Sequence, residues 1–316
     1  MTLVSVWLYG ATGQLGRAIS SQIATMPWLT LVEQDRRAFA SVGLSELGND
    51  APSSLPMVIL NAAAFTDVER AELVPALAWE VNRDGVARLA ALAKQHNALL
   101  VHFSTDYLFD GCGDRPWREF DDPAPLNVYG HSKWAGEQAI MASGCRHLII
   151  RTSWLHSPWR DNFLKTMLRL AQERGELQIV RDQIGAPTSA MMLAEVTLQA
   201  IERVLAEPEL EGLYHVTASG AVSWFDYACF VFKEAKAMGL LNGAPKLVPI
   251  ASHDYPSLVK RPLNSRLDVD HFERTFGLTL PCWQEGVIAT LGELSKGRYV
   301  TVHRQVLDAH NSVGMG

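Results

Sequence analysis

Two periods of hydrophobicity alternate along the first half of the chain. Short apolar runs at 3–9, 30–33, 57–60, 98–103 and 147–151 predict strands. Between them, patterns of 3.6 residues predict helices over 14–25, 75–95 and 128–142. The second of these carries Leu77, Val81, Val86, Leu89 and Leu92 at helical spacing. Strands alternating with helices predict an α/β architecture, a doubly wound parallel sheet covered by helices. After residue 151 the pattern changes. Helices predicted at 161–173, 189–206, 224–238 and 283–294 are joined by loops rich in Pro and Gly, with short strands at 177–180, 213–216 and 246–250. The expected division is residues 1–152, with later segments returning, as the domain built on the parallel sheet. Residues 153–294 then form mainly a smaller C-terminal α/β substrate lobe. The segment 295–316 is polar and aperiodic and is expected to be loosely ordered.

Composition narrows this only a little. The chain has 316 residues, 48% hydrophobic and 20% charged, which is ordinary for a soluble globular protein. No apolar run approaches the roughly 18 residues of a membrane helix. The N-terminus passes straight into a strand, so neither a signal peptide nor an anchor is expected. The four cysteines, Cys112, Cys145, Cys229 and Cys282, form no Cys-x-x-Cys pair, and there is no His-Glu-x-x-His. Disulfides and a zinc site are therefore not expected, and a reducing cytoplasm suits the chain. A net charge of -6 argues against a nucleic-acid partner. A local cluster such as Lys260, Arg261 and Arg266 can still serve a small anionic ligand.

The first chemistry lies at Gly10-Ala11-Thr12-Gly13-Gln14-Leu15-Gly16, between the first predicted strand and the first helix. Glycines let the backbone turn tightly and approach a pyrophosphate, and the helix N-terminus offers N–H groups and partial positive charge. This is the context of a Rossmann-type dinucleotide site. The spacing Gly-x-x-Gly-x-x-Gly resembles the short-chain dehydrogenase/reductase superfamily. The second strand ends at Glu33-Gln34-Asp35-Arg36-Arg37. An acid there binds the adenosine ribose and implies NADH, whereas an arginine accepts a 2′-phosphate and implies NADPH. Both are present, and Arg36 tilts the reading toward NADPH.

Tyr129 and Lys133 stand four apart on a predicted helix and so share a face. They follow a strand that ends Ser104-Thr105-Asp106-Tyr107, at the sheet edge where ligands bind in such folds. A ketone that accepts hydride develops negative charge on oxygen and needs a proton donor and a hydrogen bond. Tyr129 fits the donor. Thr105 fits the hydrogen bond to the carbonyl oxygen. Lys133 is expected to lower the tyrosine's pKa and to hold the nicotinamide ribose.

Further segments resemble the dTDP-4-dehydrorhamnose reductase family. They are Asn61-Ala62-Ala63-Ala64, Ser104 to Gly111, Pro125 to Gly130, Arg151-Thr152-Ser153-Trp154, Asp182 to Thr188 and Arg261-Pro262-Leu263-Asn264-Ser265-Arg266-Leu267. The resemblance runs in order from about residue 4 to residue 294. It implies reduction of the 4-keto group of a dTDP-linked 6-deoxyhexulose by NADPH or NADH, giving dTDP-L-rhamnose. It also implies catalysis by Thr105, Tyr129 and Lys133, and a cofactor lined by Gly13, Gln14, Leu15, Asp35, Ala63 and Ala64. Asp106 and Trp154 would contact the sugar, and Arg261 and Asn264 the diphosphate, which a guanidinium suits. Phe65 departs from the pattern, standing where members often have His. Some members form a dimer through Mg2+, but the matching positions here are Ala18 and Met191, with only Glu293 acidic. No Mg2+ site is therefore expected, and a monomer and a homodimer both remain open. Two other readings stand beside this one. One is a reductase of a different dTDP-4-keto-deoxysugar. The other is a non-catalytic NADP-binding regulatory subunit like that of methionine adenosyltransferase, against which the joint presence of Thr105, Tyr129 and Lys133 argues.

Overall fold

The computed structural model describes residues 3–34 and 57–297. Six parallel strands form the central sheet. In chain order they are β1 (Val4–Tyr9), β2 (Leu29–Gln34), β3 (Val58–Asn61), β4 (Leu99–Thr105), β5 (His147–Thr152) and the late strand Gly212–His215. Across the sheet the order is β2-β1-β3-β4-β5 and then Gly212–His215. The chain therefore reverses direction beside β1, and β3 pairs on the other flank, with Tyr9 opposite Asn61. Such a reversal leaves a crevice at the carboxyl ends of the strands.

The strands are buried on both faces, as a parallel sheet requires. Val4, Val6 and Leu8 of β1 face one core, with Leu60, Val101 and Ile150 from the neighbouring strands. Trp7 and Tyr9 face the other, with Ile59, Leu100 and Ile149. That second face is covered by Val86, Leu89, Ala90 and Ala93 of the helix Gly85–His96. The helix expected over 75–95 is not uniform. It runs as Pro75–Trp79, a π-helical turn Glu80–Asp84, and Gly85–His96.

The strand Gly212–His215, grouped by sequence with the smaller lobe, instead extends the large sheet beside β5. The helix Ala190–Ala206 packs on the glycine-loop helix Gln14–Ile23. Both later segments thus pack with the large sheet and its helices. The remaining strands are short pairs, Glu176–Val180 with Lys246–Ile250, Ile184–Gly185 with Val222–Ser223 and Leu155–His156 with Thr188–Ser189. No helix among the described residues is long and apolar enough to cross a membrane. The expected tail falls largely on 298–316, outside the described residues.

Candidate active site

The carboxyl ends of β1, β3, β4 and β5 open onto a cavity of about 670 Å³. Its Rossmann-side wall comes from residues at or just past those ends: Gly13 to Leu15, Asn61 to Ala64, Phe103 to Tyr107, and Thr152 to His156. A second cavity of about 640 Å³ lies against Gly10 to Gly13, Glu33, Gln34 and Ala62 to Phe65. The two share Gly13, Ala62, Ala63, Ala64 and Arg160, so they meet over the glycine loop.

The loop's glycines are required by close approach. Gly10 has φ +85°, and a Cβ there would lie 2.6 Å from Ala63 N. A Cβ on Gly16 would lie 2.1 Å from Gly10 O. Gly13 caps the helix Gln14–Ile23, with no side-chain cap and no acid in the first turn. An uncapped ten-residue helix facing two joined cavities suits a dinucleotide pyrophosphate. Gln14 is held from the far wall. Asn162 Nδ2 donates to Gln14 Oε1 at 2.9 Å while Asn162 Oδ1 caps the helix Phe163–Glu173, and Ser157 Oγ reaches the same oxygen at 2.8 Å. The amide nitrogen of Gln14 is thereby left as a donor for a ligand. Asp35 and Arg36, expected to select between NADH and NADPH, lie outside the described residues.

The Ala62–Ala64 loop is fixed by backbone contacts. Asn61 Oδ1 accepts from Ala63 N, and Asn82 on the π-turn bonds both the N–H and the carbonyl of Phe65. Asn82 also donates to Ser132 Oγ on the helix Val128–Ser143. The side chain at position 65 is therefore not what holds this loop.

Asn127 starts the helix Val128–Ser143, accepting from Gly130 N at 2.9 Å, and its amide donates to Lys260 O. A Cβ at Gly130 would lie 2.3 Å from Tyr107 O, so the helix can approach the end of β4. This approach brings Tyr129 to Thr105. A hydrogen bond with Thr105 and the nearby Asp106 and Tyr107 act on the phenol, but burial dominates and pushes it well above 10. Tyr129 is thus held protonated, as a donor must be. Lys133 is also buried. Burial pulls its ammonium down to about 8, against the pull of Glu137. Its Nζ donates to Phe103 O and meets His102 Nε2 at 3.2 Å. Sequence reasoning had Lys133 lowering the tyrosine. In the structure burial raises the phenol, and the Lys133 ammonium bonds the end of β4. His102, missed by that reasoning, is kept neutral by burial and bonds Asn61 through Nδ1 at 2.9 Å.

Asp106 is buried beside Thr105, whose hydroxyl donates to it at 3.2 Å. Burial raises its carboxyl to about 6, opposed by the hydroxyls of Ser265 and Thr105. Trp154 lies in the cavity wall with φ +49° and stacks on Trp224 with ring centroids 3.5 Å apart. Left-handed backbone costs a non-glycine residue about 1–2 kcal/mol, and this packing offsets it. Gly185 is needed beneath, because a Cβ there would lie 2.6 Å from the Trp154 ring. Trp224, Phe163 and Tyr227 complete an aromatic wall that sequence reasoning did not assemble.

Arg261 lines the cavity and donates to Tyr107 Oη at 3.2 Å and Glu69 Oε1 at 2.9 Å. Glu69 also accepts from Ser257 Oγ and Leu258 N, and the Ser257 bond, with Arg261, holds its carboxyl below the usual range. Asn264, expected at the diphosphate, is placed elsewhere. It is buried outside the cavity lining, with Nδ2 on Arg115 O and Oδ1 on the N–H and Nε of Arg266. Its side chain is spent on folding the Arg261–Leu267 segment. At the positions of the family's metal-linked contact, Ala18 is buried, Met191 accepts from Gln22 through its carbonyl, and Glu293 pairs with Lys296. These residues do not fit a hard cation, which wants several oxygen ligands.

The model of the RmlD substrate binding domain matches residues 4–296. A dTDP-4-dehydrorhamnose reductase from Escherichia coli strain K12 is 42% identical over 293 residues, covering 92% of this chain and 98% of the relative. The crystal structure of a dTDP-4-dehydrorhamnose reductase from Clostridium acetobutylicum superposes with a TM-score of 0.83 at 33% identity, covering 92% of this chain and 99% of that one. The dTDP-4-dehydrorhamnose reductase from Bacillus anthracis, solved in complex with NADP, also gives 0.83, at 32% identity, covering 92% of this chain and 100% of that one. These matches span both walls of the cleft and every strand of the sheet, and by them the chain belongs to the dTDP-4-dehydrorhamnose reductase family.

Proposed function

We propose that this protein reduces the 4-keto group of a dTDP-linked 6-deoxyhexulose, giving dTDP-L-rhamnose, with Tyr129 as proton donor. The observation that carries the reading is the Thr105–Tyr129 pair at the carboxyl edge of β4, in a cleft that continues onto the glycine loop. Gly10, Gly13, Gln14, Leu15, Gly16, Ala63 and Ala64 hold the dinucleotide. When bound, NADPH (or NADH) supplies the hydride to the carbonyl carbon. Tyr129 gives its proton to the carbonyl oxygen, and Thr105 steadies that oxygen with a hydrogen bond. Burial serves the donor, because a phenol kept protonated in a dry site transfers its proton only when a strong base develops beside it. Lys133 anchors the floor of the nicotinamide end through Phe103 O. Asp106 and Trp154 face the sugar, and Arg261 turns its guanidinium toward the diphosphate from the lobe side. Residues 1–152 with the returning segments thus serve the cofactor, and the wall after residue 153 serves the sugar nucleotide. Four free cysteines suit a reducing cytoplasm.

The test is incubation of the purified protein with the dTDP-4-keto-6-deoxyhexulose and each reduced cofactor, followed by NMR of the product. Cofactor oxidation with formation of dTDP-L-rhamnose is expected. Binding of NADPH with no oxidation by this or a related keto-sugar would leave the protein a binding module instead.

A further inference from the structure

The segment Ser157–Asn162 crosses from the lobe side and clasps the glycine loop. Ser157 and Asn162 hold Gln14, and Arg160 Nε donates to Thr12 O at 3.0 Å. Arg160 lines both cavities. It takes left-handed backbone, φ +56°, a conformation that a glycine would enter freely and an arginine does not. Lys165 fixes that backbone by donating to Arg160 O at 2.8 Å. Among the described residues, the terminal nitrogens of Arg160 have no hydrogen-bond partner. The carboxylate beside it, Asp161, is exposed and acts on Lys165. Glu33, at the far end of the second cavity, accepts from Ser20 Oγ. A guanidinium with one edge tied to the loop backbone and its other edge open sits where the two cavities join. That junction is where a dinucleotide's two phosphates would lie, over the uncapped helix Gln14–Ile23.

We propose that Arg160 is a pyrophosphate clamp, which closes over the dinucleotide from the side opposite the helix N-terminus. The planar fork suits two phosphate oxygens at once. The helix binds the pyrophosphate from below and Arg160 from above, so the ligand is gripped by both halves of the molecule. This rests on the dinucleotide part of the proposed function and on none of its sugar chemistry.

The test measures binding of NADPH, NADH and reduced nicotinamide mononucleotide, which has no pyrophosphate, by nicotinamide fluorescence. The variants are Arg160→Gly, which relaxes the backbone, and Arg160→Gln, which keeps a neutral donor on the same backbone. Both are expected to weaken NADPH and NADH alike by about tenfold, the effect of losing one charge-assisted contact. Binding of the mononucleotide should change less than about twofold, and Arg160→Gly should melt no lower than the parent. Dinucleotide affinities within about twofold of the parent in both variants would overturn the proposal. So would a loss confined to NADPH, which would place the guanidinium at the 2′-phosphate. Equal loss for the mononucleotide would also overturn it, because that marks a general disturbance of the cleft. Affinity is read without turnover, so the clamp and the reductase reading stand or fall separately.

Discussion

The two walls of the cleft are built differently. The wall from the sheet places its groups by strand register: Tyr9, Asn61, Thr105 and Thr152 all end their strands at one edge. Its helices are pinned by buried contacts, such as Arg151 to Glu137 at 2.7 Å, joining β5 to the helix that carries Tyr129. The opposite wall, from 153–162, Trp224 and Arg261, is placed by loops, a two-residue strand and helix starts. Two of its residues hold left-handed backbone, and its ionic tie, Arg261 to Glu69, is only half-buried, unlike Arg151 to Glu137. A reacting centre needs fixed geometry, whereas a wall that must admit and release a large sugar nucleotide needs contacts that are cheap to break.

The largest test of this contrast is Tyr129→Phe. Its kcat should fall by about 10²–10⁴-fold, the usual weight of a positioned acid, while NADPH affinity stays within about twofold. Near-normal turnover would remove Tyr129 from the fixed wall's chemistry. Next comes Glu137→Gln, which leaves the Arg151 guanidinium buried without its carboxylate. Equilibrium urea unfolding should show a loss of about 3–5 kcal/mol, and a change under about 1 kcal/mol would deny that buried pairs pin this wall.

A pH profile probes the same side. Asp106 is raised to about 6, so its carboxylate is lost as pH falls through that value. Lys133 is lowered to about 8, so its charge is lost as pH rises through that one. If both are needed charged, kcat/KM is flat between these values and falls by up to about tenfold per unit outside them. Asp106→Asn should abolish the acid limb alone. An unchanged acid limb in that variant would dissociate Asp106 from substrate. The smallest effect belongs to the loose wall. Glu69→Gln should shift the melting temperature by only a few degrees, since Gln keeps an acceptor for Ser257 and a solvent-screened pair contributes about 1 kcal/mol. It should shift the KM for the sugar nucleotide by roughly a few-fold. A large drop in stability would make that wall as rigid as the other.

The same contrast decides what could be read from sequence. The glycine loop, Thr105, Tyr129 and Lys133 sit at strand ends or at helical spacing, so periodicity locates them. Gly212–His215 looked like a lobe strand because a pattern of four apolar and aromatic residues carries no record of which sheet it joins. Arg160 left no trace, since its place depends on a backbone angle and not on spacing. Asn264 fell within a motif that resembles the family's, yet its side chain serves the fold of the segment. His102 and Asn61 are buried polar residues whose meaning appears only once β3 and β4 are paired.

The π-turn at Glu80–Asp84 carries a constraint of another kind. It is one residue longer than an α-helical turn, and from it Asn82 reaches both Phe65 on the cofactor loop and Ser132 on the Tyr129 helix. Deleting a single residue there would restore regular winding and nearly keep the register of the flanking turns, since five π-helical residues and four α-helical ones each make little more than one turn. The bulge from which position 82 reaches both partners would be lost, whatever side chain stood there. In descent, then, this stretch should tolerate exchanges of letters far better than any change in their number.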